Sequence, residues 1–271
     1  MKSIINRSAM ALAVAATVAA CSADSSSTTA PLGAHQLDVS TEIAAMANGS
    51  VGGIPGESSL LSLPTSTTLP AVVPAACAYS STTKGFTCPT ATVQGLTFNI
   101  TYYLSDVNGV SQSAPDVNTT ASIRVVADTR GTVSLPSNVG SGTSVTLTDH
   151  SDMTMSGLQA ANRALNGTSV SHYDVSTTGT TPAHSLIDMT TTSANVMLPP
   201  EGSASHWPMS GTVTTDATAV TSIGFLPSAT TNARALVTFN GTSTPTVVVT
   251  VAGVVRTCKV DLSGRAQPSC S

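Results

Sequence analysis

Apolar and polar residues alternate most regularly between Leu96 and Leu104. Leu96, Phe98, Ile100, Tyr102 and Leu104 fall on one phase, and Thr97, Asn99, Thr101 and Tyr103 on the other. A period of two belongs to a strand with one buried face, so a strand is predicted over Thr92–Leu104. Asn108-Gly109 follows, a dipeptide suited to a hairpin turn. The return strand is expected over Asn118–Asp128, with Thr119, Ala121, Ile123, Val125 and Ala127 in phase. The pattern recurs over Thr143–Met155, where Val145, Leu147, Met153 and Met155 share a face. Shorter strands are expected over Val170–Val175, Ser185–Met189 and Asn195–Leu198, and weaker ones over Met209–Val213 and Ala217–Phe225.

Near the C-terminus Ala235, Val237 and Phe239 alternate, and Asn240-Gly241 turns the chain. Thr246–Val251 returns, Ala252-Gly253 turns, Val254–Val260 comes back, and Asp261–Arg265 turns once more. Short turns between alternating segments describe an antiparallel meander. Gln159–Leu165 also fits a helical turn, with Leu158, Ala161 and Leu165 on one stripe, but its flanks alternate. A hairpin turning at Asn166-Gly167 is therefore preferred. The fold class is all-β: about eight to twelve antiparallel strands forming a sandwich or an incomplete barrel.

Upstream the pattern changes. Residues 77–271 hold the β-rich domain, and residues 36–76 read as an irregular arm rich in Gly, Pro, Ser and Thr. Within that arm residues 38–48 carry the marks of a short helix. Asp38 or Ser40 stands at its start, Ile43 and Met46 face inward, and Asn48-Gly49 ends it. Residues 21–35 are small and polar, as in a flexible tether.

The first twenty residues are of another kind. Lys2 and Arg7 precede an apolar stretch from Ala9 to Ala20, which runs into Val18-Ala19-Ala20-Cys21. A basic start, a short apolar run and small residues at the exit describe a secretory signal. This pattern resembles the bacterial lipoprotein signal, the lipobox. The resemblance implies that residues 1–20 are removed and that Cys21 is lipidated as the mature N-terminus. Several acyl chains then anchor the protein stably to a membrane. Ser22 after the cysteine, by analogy with the enterobacterial sorting rule, implies an outer-membrane lipoprotein of the cell envelope. The apolar run is too short to span a bilayer.

Composition narrows the function. The chain has 271 residues, with 41% hydrophobic, 9% charged and 3% aromatic. Its formal charge of −4 includes Lys2 and Arg7, and no acid precedes Cys21, so the mature chain carries −6. No basic cluster occurs, which argues against a nucleic-acid partner. Thr and Val suit a pleated, half-buried surface. Beyond Cys21 the cysteines are Cys77, Cys88, Cys258 and Cys270. Four cysteines allow three pairings. Turn residues midway between each close pair favour two local bridges, Cys77–Cys88 and Cys258–Cys270. Each would contribute roughly 2–3 kcal/mol.

Candidate chemistry is sparse. His150-Ser151-Asp152 and His172-Tyr173-Asp174 repeat a His-x-Asp pattern on expected strands. Residues i and i+2 share a face. If the two strands were neighbours, His150, Asp152, His172 and Asp174 would offer four metal ligands. Such pairs more often hydrogen-bond locally on a solvated face, so no metal and no cofactor is assigned. No Gly-x-Ser-x-Gly elbow occurs, and carboxylates are few. Trp207, the only tryptophan, is read as a core or lid residue. The chain is thus read as a non-enzymatic, lipid-anchored envelope protein with a structural or binding role and an envelope protein as partner. The alternative is a carrier of lipid or another apolar ligand, with Met153, Met155, Met189, Met197 and Met209 lining a curled sheet. A metal-dependent enzyme using the His-x-Asp pairs is the third reading.

Overall fold

The computed structural model describes residues 73–134, 142–178, 182–200, 203, 205, 207–262 and 269–271. The helix expected over 38–48, the tether and the signal lie outside these residues. The described residues contain strands, turns and connections but no helix. Thirteen strands form one antiparallel sheet that does not close into a barrel. Small strands begin it: β1 (Ala78–Ser80), β2 (Gly85–Thr87) and β3 (Ala91–Val93). Seven longer ones follow: β4 (Leu96–Ser105), β5 (Ser122–Ser134), β6 (Thr143–Ser156), β7 (Arg163–Thr177), β8 (Ala183–Leu198), β9 (Ser210–Ile223) and β10 (Ala229–Thr238). β11 (Thr246–Val251), β12 (Val254–Lys259) and β13 (Ser269–Cys270) complete it. From β4 to β13 every strand pairs with the next in sequence, which is the meander that the alternation implies. The strand count exceeds the expected range because the small strands flanking the cysteines carry too few residues to display a period.

One face is dry. Ile123, Met153, Met155, Ala235, Val247 and Val249 are fully buried, and one apolar cluster gathers side chains from β2 through β12. A sheet buries one face so completely by curling over it, as the right-handed twist of strands favours. The inner face is layered. One row across the hydrogen-bonded register reads Val125, Met153, Gly167, Ser193, Val213, Val237, Val247 and Cys258, and it is largely apolar. The next reads Ala127, Ser151, Ser169, Thr191, Thr215, Ala235, Val249 and Arg256. Beyond it lies a smaller apolar cluster around Val145 and Val175, with Tyr173 and Ile187 packed against it.

Both local disulfides form: Cys77–Cys88 and Cys258–Cys270. The first closes the β1–β2 hairpin, and the second joins directly paired residues of β12 and β13. They staple the two ends of the meander.

The strands differ from the sequence reading in four places. The segment Thr92–Leu104 is two strands, because Gln94 (φ 52°) and Gly95 (φ 86°) form a two-residue turn between β3 and β4. The alternation survives a tight hairpin, so the phase alone hides the turn. Asn108-Gly109 does turn the chain, but the return strand starts later, at Ser122. Asp106 first holds the intervening loop by accepting bonds from the amides of Asn108 and Val110. Asn166-Gly167 is neither a hairpin turn nor a helix cap. β7 runs straight through it, and the reversal comes earlier, near Gly157. Finally, the expected pieces of β8 and of β9 are single strands. A bulge at Ala194–Val196 shifts the register of β8 against both β7 and β9 and breaks its period of two, whereas β9 keeps its phase through Thr215, Ala217 and Ala219, which are too polar or small to mark it. Asn195 (φ 49°) lies in the bulge and donates its amide to Asn166 Oδ1 at 2.7 Å.

Candidate functional site

Strand parity places His150, Asp152, His172 and Asp174 together on the outer face, as their spacing implies. The pairing register then separates them. His150 lies opposite Val170, and His172 lies opposite Thr148. Each group is engaged by another strand. His150 Nδ1 lies 2.8 Å from Asp128 Oδ1 on β5, its direct cross-strand partner. His172 Nδ1 lies 2.7 Å from Asp188 Oδ1 on β8, again directly opposite. Asp174 Oδ1 lies 2.9 Å from His184 Nε2. Asp152 accepts two bonds from Arg124, from Nε at 2.7 Å and a terminal nitrogen at 2.6 Å. Among the described residues no group of His, Cys, Asp and Glu is placed to hold a metal. The two histidines and two carboxylates proposed as a ligand set are instead each engaged by a different side chain along a ladder of neighbouring strands.

The fork between Arg124 and Asp152 has an electrostatic signature. The guanidinium's hydrogen bonds hold the Asp152 carboxyl below its ordinary value and raise Arg124 above its own. Arg124 also sits over the Tyr103 ring, 5.3 Å from its centroid. Arg124 is half exposed and Asp152 about a third, so this pair contributes about 0.2–1 kcal/mol and is screened by salt.

Further along the same face lies a shallow trough of about 420 Å³. Asp188, Thr190, Asp216, Thr218, Asn232, Arg234 and Thr250 line it from four strands. Thr218 Oγ1 donates to Asn232 Oδ1 at 2.9 Å, and Arg234 Nε stands 3.7 Å from Asp216. Its walls combine these donors and acceptors with apolar surface, to which Ala217 and Ala233 contribute.

The inner face holds a feature that the sequence reading missed. Asp149 is buried, and its Oδ1 accepts from Ser169 Oγ at 3.1 Å and Ser171 Oγ at 2.6 Å. Burial raises its carboxyl above the ordinary value, and the two serine bonds oppose that rise without cancelling it. Tyr173 lies two residues beyond Ser171, and its phenol is pushed up to about 12 by burial and by the nearby Asp149 charge. Thr191 and Thr215 bond each other at 3.2 Å in the central row. Ser151 Oγ and Arg256 Nε are buried without partners, and both belong to that row. Asp149 shares the phase of Val145, Leu147, Met153 and Met155 along β6, so its inward orientation was readable from phase. Its serine partners were not, because they depend on the β6–β7 register.

Met153 and Met155 are fully buried in the core, and Met189, Met197 and Met209 are partly buried. Trp207 is partly buried in the connection from β8 to β9, and its amide lies 3.3 Å from Ser205 Oγ. The structure thus describes an open, antiparallel, all-β sheet stapled at both ends, with a charged outer face. No protein-family model matches the chain, and neither the curated proteins nor the solved structures give a match. The two disulfides point to an oxidising, exported compartment.

Proposed function

We propose that this chain is a lipid-anchored bacterial cell-envelope protein with a structural or binding role, held at the outer membrane. The observation that carries this reading is the run Val18-Ala19-Ala20-Cys21 behind a basic, apolar leader. Two features support it: a small-residue, polar tether after Cys21, and a domain whose cysteines are oxidised in pairs. A binding role is favoured over a chemical one by the state of the ionisable groups. The histidines, acids and Arg124 of the outer face are paired with one another across strands, which favours a surface over a reactive centre. The shallow trough around Asp188 and Arg234 supports a binding role as a concave part of that surface.

The carrier reading is weaker on one observation. Met153 and Met155, the methionines most central to the inner face, are fully buried among Ile123, Val125 and Val237 and serve as core. The metal-enzyme reading would need the outer-face histidines to leave their aspartate partners.

Metabolic labelling with an alkyne fatty acid tests the proposal. The wild-type chain should incorporate label and fractionate with the envelope membrane. The Cys21→Ala chain should lose all label. Unlabelled wild-type protein, released as a soluble species, would overturn the reading.

A further inference from the structure

On the inner face, β6 and β7 interrupt their apolar sequence at the same level. The inward phase of β6 runs Val145 and Leu147, then Asp149 and Ser151, then Met153 and Met155. That of β7 runs Leu165 and Gly167, then Ser169 and Ser171, then Tyr173 and Val175. The register sets Asp149 opposite Ser171 and Ser151 opposite Ser169, so these polar side chains form one block. Thr129 of β5 adds a hydroxyl opposite Asp149 on its other side. Exposure across these residues is only 0–7%.

The block is incompletely satisfied. Ser169 and Ser171 both donate to Oδ1 of Asp149, and Oδ2 accepts no bond from the described residues. Among the described residues no Lys, Arg or His forms an ion pair with this carboxylate. Ser151 Oγ is fully buried and has no partner. Thr191 and Thr215, in the same row as Ser151, bond each other, so the row does not leave every hydroxyl unmet. Buried carboxylates are rare unless a countercharge or a metal ion compensates them. A buried hydroxyl without a partner marks the place of a water or an ion. Both needs arise two residues apart on one face of β6.

We infer that this block binds an alkali-metal cation, held by Asp149 with the hydroxyl oxygens of Ser151 and Thr129. The donors are all oxygen, which suits a hard cation and not a soft transition metal. They carry one formal charge, so a monovalent ion neutralises the site, whereas a divalent ion leaves a buried excess. Ser169 and Ser171 direct their protons to Oδ1, which leaves Oδ2 for the ion. Ligands from β5 and β6 make the ion a staple for the middle of the sheet, far in sequence from either disulfide. The inference does not depend on the lipid anchor.

Thermal unfolding of the purified, oxidised protein tests it. At neutral pH and fixed ionic strength, sodium or potassium chloride replaces choline chloride. Choline is too bulky for the block but screens surface charge equally. Once the site fills, each tenfold rise in the bound ion should raise the folding constant by about tenfold. Asp149→Asn should abolish the response, and Ser151→Ala should weaken it. Asp174→Asn, which removes the same charge from the outer face, should keep it. Should Asp149→Asn fail to fold, the sodium NMR line decides: wild-type protein should broaden it more than Ser151→Ala does. Equal stability in sodium, potassium and choline would overturn the inference and leave the Asp149 charge to a proton or to water. A response that Asp149→Asn retains, or a response to calcium alone, would also overturn it.

Discussion

At the scale of single residues, Asp149 is the position where chemistry and stability conflict. Its carboxyl is raised above the ordinary value mainly by burial, so the folded state holds its proton more tightly than the unfolded state. The stability it contributes is complete below the unfolded value, about 3.9. That stability is lost as pH rises through the higher folded value. At neutral pH the charge is a cost that Ser169 and Ser171 only partly offset. Asp149→Asn keeps an acceptor for the serines and removes the charge. Thermal unfolding should show the variant more stable than wild type at pH 7–8, with the advantage vanishing near pH 4. A constant difference across that range would mean that Asp149 is not the titrating group. Legibility at this scale was uneven. The inward or outward sense of Asp149, His150 and Asp152 follows from phase along one strand. Whether His150 meets Asp128 or Asp174 is decided by pairing between strands, about which the sequence of β6 is silent.

At the scale of elements, tight backbone approaches fix the register. Gly131 on β5 has φ 150°, and a Cβ built there would lie 2.0 Å from the Gly95 carbonyl oxygen. β5 continues past the β3–β4 hairpin at this point, and only glycine permits the contact. Gly131→Ala should cost more than about 2 kcal/mol in chemical denaturation, since backbone and not a flexible side chain stands in the way. A loss under about 0.5 kcal/mol, the range of ordinary surface substitutions, would show that the β3–β4 turn yields easily. Strands with unbroken alternation, such as β6 and β11, coincide closely with the expected Thr143–Met155 and Thr246–Val251. β8 reads as fragments because the bulge at Ala194–Val196 inserts an odd step into it, and β9 because the middle of its inward phase is Thr215, Ala217 and Ala219, too polar or small to mark a strand. Dipeptides such as Asn166-Gly167 serve bulges as well as turns, because both need a residue with positive φ.

At the scale of the whole molecule, the chain is a sequence-ordered meander whose ends would fray without closure. Both edges are short strands held by disulfides, Cys77–Cys88 at one side and Cys258–Cys270 at the other. Sheet edges present unpaired backbone groups, and short, stapled edge strands limit their exposure to other chains. The meander and both bridges were legible because hairpin connectivity is local: each signal lies within a dozen residues. The polar central row was not, because it is assembled from one residue on each of several strands. The proposed role joins this architecture to an N-terminal lipid. It requires an exported chain cut before Cys21, acylated there, and oxidised at four other cysteines. Intact-mass spectrometry of the protein extracted from the envelope tests all three at once. The account predicts the mass of residues 21–271 plus a diacylglyceryl group and one further acyl chain, less four hydrogens for two disulfides. A mature chain that begins elsewhere, carries no lipid, or retains free thiols would contradict it.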